Sequence, residues 1–138
     1  MQKILLSLAL FSLQIFSLEL SPGLSNASVY FISPLNNQVV ENKFVVKFGL
    51  KDFGVAPAGI ALDGTGHHHL IIDSKLPAFN LPIPADKNHV HFGKGQTETQ
   101  VVLTPGVHTL QLLLGDYRHI PHDPPIFSKR ISVNVQSN

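Results

Sequence analysis

Short runs of β-branched and aromatic residues, separated by proline, glycine and asparagine, recur along this chain from about residue 28 onward. Val29-Tyr30-Phe31-Ile32 is stopped by Ser33-Pro34, and Phe44-Val45-Val46-Lys47-Phe48-Gly49-Leu50 follows an Asn36-Asn37 turn. His67 to Asp73, His89 to Phe92, Thr97 to Leu103, Val107 to Leu114 and Phe127 to Val135 continue the series. Runs of this length and composition favour strands, whereas the signals for helix are poor. Gly54-Val55-Ala56-Pro57-Ala58-Gly59 punctuates the chain rather than folding regularly. Leu76 to Lys87, with Pro77, Pro82 and Pro84, reads as a long, semi-rigid surface loop. The pattern predicts an all-β fold, an immunoglobulin-like β-sandwich of about seven short strands.

The N-terminus has a different pattern. Lys3 precedes an apolar stretch from Ile4 to about Leu18 that only Ser and Gln interrupt. This is shorter than the roughly 20 apolar residues of a membrane span and has the charged start and apolar centre of a secretory signal. Residues 1–27 are therefore expected to be a targeting segment and 28–138 a single domain. Ser25-Asn26-Ala27 permits a cut before Ser28; a cut after Ser17 competes with it, and a retained anchor is the remaining alternative. The expectation is a periplasmic or secreted protein with no stable membrane span after processing.

Composition narrows the chemistry. There is no cysteine, which removes a lipid attachment site, a disulfide framework and thiolate ligands. Ten basic residues balance nine acidic ones without a basic stripe, so nothing favours nucleic acid as a partner. The eight histidines are what stand out. Side chains alternate along a strand, so His67 and His69 share one face while His68 takes the other, and His89 and His91 share a face. Two such pairs on neighbouring strands would aim several imidazoles at one point.

The candidate ligands are His67, His69, His91 and His119, followed by His89 and His122, with Asp116 as a carboxylate able to orient an imidazole through its second nitrogen. His68 shares its face with Leu70 and Ile72 and is expected in a supporting or core role. Imidazole donors without thiolate or thioether suit Cu(II) or Zn(II), less often Ni(II), and not Cu(I), since Met1 is the only methionine. A buried histidine network that ties loops together through the backbone is the competing reading, and a pH-sensing role is a third. His108 opens a strand after a turn and is expected to be partly exposed.

The case for catalysis is thin. No G-x-S-x-G elbow occurs, blue-copper chemistry would need a cysteine, and Asp63, Asp73, Asp86 and Glu98 have no distinguishing spacing for a general base. Gly93-Lys94-Gly95 lacks the spacing and the strand-loop-helix context of a phosphate loop and reads as a β-turn. The functional expectation is an exported metal-binding protein for storage, buffering or delivery. The alternative is a structural or ligand-binding module of the cell envelope.

Several motifs also carry a family resemblance. Gly64-Thr65-Gly66-His67-His68-His69-Leu70-Ile71-Ile72-Asp73, His91-Phe92-Gly93-Lys94-Gly95-Gln96-Thr97-Glu98, and Gly115-Asp116 leading to His119-Ile120-Pro121 resemble the signatures of the bacterial domain of unknown function 4399. Ile32-Ser33-Pro34 and Val55-Ala56-Pro57-Ala58-Gly59 fit the same pattern, and the segment from Thr104-Pro105-Gly106 to Asp116 resembles the last hairpin of bacterial immunoglobulin-like domains. The resemblance implies a secreted or periplasmic single domain and no established activity.

Overall fold

The computed structural model describes residues 18–137; of the targeting segment expected at residues 1–27, residues 1–17 lie outside the described residues. Nine strands follow in chain order: β1 Ser28–Ser33, β2 Gln38–Val40, β3 Lys43–Lys51, β4 Gly54–Val55, β5 Thr65–Ile72, β6 His89–His91, β7 Glu98–Val102, β8 Gly106–Gly115 and β9 Ile131–Val135. No helix is found among the described residues. Each of the seven runs read from the sequence contains a strand, although the run from Phe127 to Val135 is strand only from Ile131. The two additions, β2 and β4, are three and two residues long. They pair in parallel with the edges of β9 and β5, so neighbours rather than any pattern of their own make them strands.

The strands form a three-stranded sheet in the order β1-β3-β7 and a larger sheet in the order β2-β9-β8-β5-β4. β6 also pairs with β5, antiparallel, with His69 opposite His91 and Ile71 opposite His89. β4 and β6 thus share one side of β5, β4 at Thr65 and Gly66 and β6 from His69 to Ile71. On its other side β5 pairs with β8, setting His67 opposite Gly115 and His69 opposite Leu113.

One core joins the two sheets, an arrangement consistent with a β-sandwich. Val29, Val46, Phe48 and Val101 come from the smaller sheet; Leu70, Ile72, Leu110, Leu112, Leu114, Val133 and Val135 come from the larger. A fully buried leucine of this kind contributes roughly 1.5–3 kcal/mol. Alternation then sends His67, His69 and Ile71 to the outer face of the larger sheet. That face is covered too: Ile83, Leu76 and Phe79 of the proline-rich loop pack on Ile71 and Leu113. β5 is therefore buried on both faces, which accounts for its unbroken polar-to-apolar run without a solvent side.

Candidate metal centre

Four imidazoles meet on this covered outer face. His67 and His69 come from β5, His91 from β6 by direct pairing with His69, and His119 from the loop that follows β8. Donor atoms of His67, His91 and His119 all lie within 4.8 Å of one another. Ring centroids are 5.0 Å apart for His67 and His91, 4.9 Å for His67 and His119, and 4.6 Å for His91 and His119. His69 adjoins this triad, with its ring 4.8 Å from His67 and 5.3 Å from His91.

Polar satisfaction differs sharply within the cluster. His91 and His119 turn their Nε2 atoms to each other at 2.9 Å, one donating to the other. His67 is 0% exposed, and neither of its ring nitrogens has a hydrogen-bond partner; the Nδ1 of His69 is unpartnered as well. Leaving a buried polar atom unmade costs about 1–3 kcal/mol, so buried imidazole nitrogens without partners call for an explanation. The triad is not sealed, because His91 is exposed and His119 half-buried.

Burial, then the neighbouring His119 and His91, lowers the His67 pKa to about 4. Burial and then His67, His91 and His119 push His69 down to about 2. His91 is lowered by the same two causes, burial first and His119 second. These imidazoles are consequently neutral near pH 7, with lone pairs free to bind a cation. Two glycines make the crowding possible. A Cβ at Gly115 would stand 2.7 Å from Cε1 of His69 and 3.3 Å from Cα of His119, and one at Gly93 would overlap the His91 ring.

The loop carrying His119 is tightly specified. His119 has φ +66°, a left-handed conformation that few residues other than glycine adopt. Asp116 holds it there. One carboxylate oxygen accepts from the backbone N–H of Arg118 at 2.8 Å and of Ile120 at 3.0 Å, while the other accepts from Ser21 and the Arg118 guanidinium. The His119 carbonyl in turn accepts from Ile83 N at 2.8 Å, tying this loop to the proline-rich one. Burial alone would raise the Asp116 pKa, but the donors from Ser21, Ile120 and Arg118 outweigh it and hold the carboxyl below its usual value. Asp116 therefore makes its hydrogen bonds to the loop that presents His119, and its influence on the imidazoles is electrostatic, opposing the fall of the His67 pKa.

The remaining histidines named from the sequence lie elsewhere. His89 shares the β6 strand with His91, but its Nδ1 pairs with Asp86 at 2.8 Å. His122 lies over Gly66, which faces the same way as His68, so the sheet separates it from the triad. Its Nε2 donates to the Thr65 carbonyl at 3.0 Å, and its ring meets Phe53 edge-on. His68 points into the core against Phe48, with ring centroids 5.0 Å apart. Burial lowers its pKa to about 4; the Gln96 main chain opposes this weakly without reaching hydrogen-bond geometry. His108 bridges Asp73 at 2.6 Å and the Thr104 carbonyl at 2.7 Å.

Sequence reasoning missed Ser21, Arg118 and the main chain of Ile83. Their roles depend on contacts between segments far apart in the chain, and no local signal marks them. Gly115-Asp116, by contrast, was visible as a motif.

Comparison with known proteins adds one finding. The family described as Domain of unknown function (DUF4399) matches residues 46–136, which include β5, β6 and the His119 loop. The chain belongs to this family. No curated protein and no solved structure matches it. The family match spans the whole imidazole cluster, so the cluster lies inside the family's domain.

Proposed function

We propose that this member of the family is an exported metal-binding protein that holds Cu(II) or Zn(II) through His67, His91 and His119, for storage, buffering or delivery. One observation carries the reading. A fully buried imidazole, His67, has no partner for either nitrogen and lies within 4.8 Å of donors from two other elements. A cation bound there would engage these donors with neutral imidazole, a ligand suited to both metals. His69 is the candidate fourth ligand. The half-open side at His91 and His119 gives a path for loading and release.

Export rests on the apolar N-terminal pattern. Among the described residues, no helix is long and apolar enough to cross a membrane. An immunoglobulin-like topology is supported by the strand order, in which the N-terminal edge leaves β1 in one sheet to pair β2 in parallel with β9 in the other. The competing reading, a structural histidine network, has support at His89, His108 and His122, each of which has a protein partner. It leaves His67 without an explanation.

The test is elemental analysis of untagged protein purified without chelator, together with Cu(II) and Zn(II) titrations. Near-stoichiometric metal that is lost in His91→Ala, with the fold intact, is the expected result. Metal-free protein with only weak affinity for both ions, and an apo form destabilised by His91→Ala, would assign the cluster to the network.

A further inference from the structure

The segment from Leu18 onward is built into the base of the loop that presents His119. Pro22 bridges Asp123 in parallel, Gly23 N donates to the Asp123 carbonyl at 2.8 Å, and Asp123 N donates to the Ser21 carbonyl at 3.0 Å. Gly23 fits so closely that a Cβ there would overlap the Pro124 carbonyl and lie 3.3 Å from Cβ of His122. Ser21 Oγ donates to Asp116 Oδ2 at 2.7 Å, and the Arg118 guanidinium donates to the Glu19 carbonyl at 2.9 Å.

Of these contacts, the Ser21 hydroxyl reaches a buried carboxylate directly. Asp116 is 1% exposed and holds the Arg118 and Ile120 amides on either side of His119. Ser21 is its one partner from outside the loop among the hydrogen bonds given above. Without Ser21, a buried carboxylate oxygen would lose a donor, and the left-handed backbone at His119 would lose part of what holds it.

We propose that residues 18–23 are a strap of the mature domain, that Ser21 is a positioning residue for His119 acting through Asp116, and that processing of the targeting segment cuts at or before Leu18. A cut before Ser28 would remove the strap. The predicted effect on metal binding rests on the reading of His67, His91 and His119 as ligands; the anchoring of the loop does not.

The experiment uses the full chain, exported with its own N-terminal segment, as wild type, Ser21→Ala and Ser21→Thr. Intact mass locates the start of the exported protein, amide hydrogen exchange reports on the loop, and titration with Zn(II) reports on the site. A mature chain beginning at or before Leu18 is expected. Ser21→Ala should speed exchange at the Arg118 and Ile120 amides while leaving β8 and β9 protected. It should also weaken Zn(II) binding about tenfold, at the lower end of what losing an outer support costs. Ser21→Thr, which keeps the hydroxyl, should restore both.

A folded exported protein beginning at Ser28, or unchanged exchange at both amides in Ser21→Ala, would overturn the proposal. Wild-type protein that takes up no Zn(II) while the two amides still respond to Ser21→Ala would sink the metal reading and leave the strap standing.

Discussion

Seven of the eight histidines fall into two groups that differ in how their nitrogens are satisfied; His68, buried against Phe48 with both nitrogens unpartnered, belongs to neither. His89, His108 and His122 each meet a carboxylate or a carbonyl; the His89 contact is local, while His108 and His122 tie distant segments together. His67, His69, His91 and His119 instead face one another, and among them only the His91–His119 hydrogen bond forms. Both groups sit on the same scaffold, so burial by itself does not separate them. What separates them is the partner: a histidine with a carboxylate or carbonyl serves the fold, while a buried one facing only other imidazoles is suited to a cation.

The sharpest way to break this comparison is to remove the least satisfied member. His67→Ala should abolish measurable Cu(II) or Zn(II) binding, a larger loss than the roughly 10- to 100-fold caused by removing an outer support. Apo stability should change little, because the removal of two unpartnered buried nitrogens offsets the cost of the cavity left by the ring. Isothermal titration and thermal melts on the same samples read both effects. A strongly destabilised apo variant would place His67 with the structural group.

Acid should separate the buried imidazoles from His108 by sign. Burial holds His67 and His68 at about 4 and His69 at about 2 in the folded protein, against 6.5 for an ordinary histidine. As pH falls below 6.5 the unfolded chain takes up these protons first, so apo stability declines from there to about pH 4 and, through His69, further still. For His68, which faces the core, the effect is on the order of 3 kcal/mol. His68→Leu should flatten the decline between pH 6.5 and 4 in denaturant titrations and leave metal affinity nearly unchanged. An unaltered slope would refute the assignment to His68.

His108 runs the other way. Burial opposes its charge, but Asp73 and the Thr104 carbonyl raise its pKa overall, so its contribution is present below 6.5 and is lost as pH rises through its folded value.

Geometry offers a third test. Gly115→Ala would place a methyl against His69 and the backbone of His119, costing about 1–3 kcal/mol of stability by overpacking. The same displacement should lower metal affinity by about tenfold, as loss of an outer support does. Affinity equal to wild type, measured by competition with a chromophoric chelator, would show that the cluster tolerates displacement and is looser than the ring distances suggest. The smallest effect belongs to His108→Ala. This partly exposed ion pair should cost about 0.2–1 kcal/mol at pH 6 and leave metal binding unchanged.

The candidate site was legible in the sequence to different depths. That His67 and His69 share a face, and His89 and His91 another, follows from alternation over a few residues; that His91 joins His67 and His69 follows only from the pairing of β6 with β5. His89 passes the same test as His91, yet Asp86, three residues away, takes its ring. His122 resembled a ligand because it stands three residues after His119, but the chain turns it to the other side of β5. β2 and β4 were invisible because two or three residues carry no period, and only the edges of β9 and β5 make them strands.

The sequence by itself determined seven of the nine strands, the sharing of faces within each His-x-His pair, and a donor set without sulfur. These are properties of a residue and its immediate neighbours. Tertiary structure alone decided that β6 lies beside β5 with His69 opposite His91, that the outer face is roofed by the proline-rich loop, and that Ser21 and Asp116 hold His119 in a left-handed turn over the cluster. Register, cover and loop closure depend on which distant segments pack together, and the free energy of that packing is not written in any local pattern.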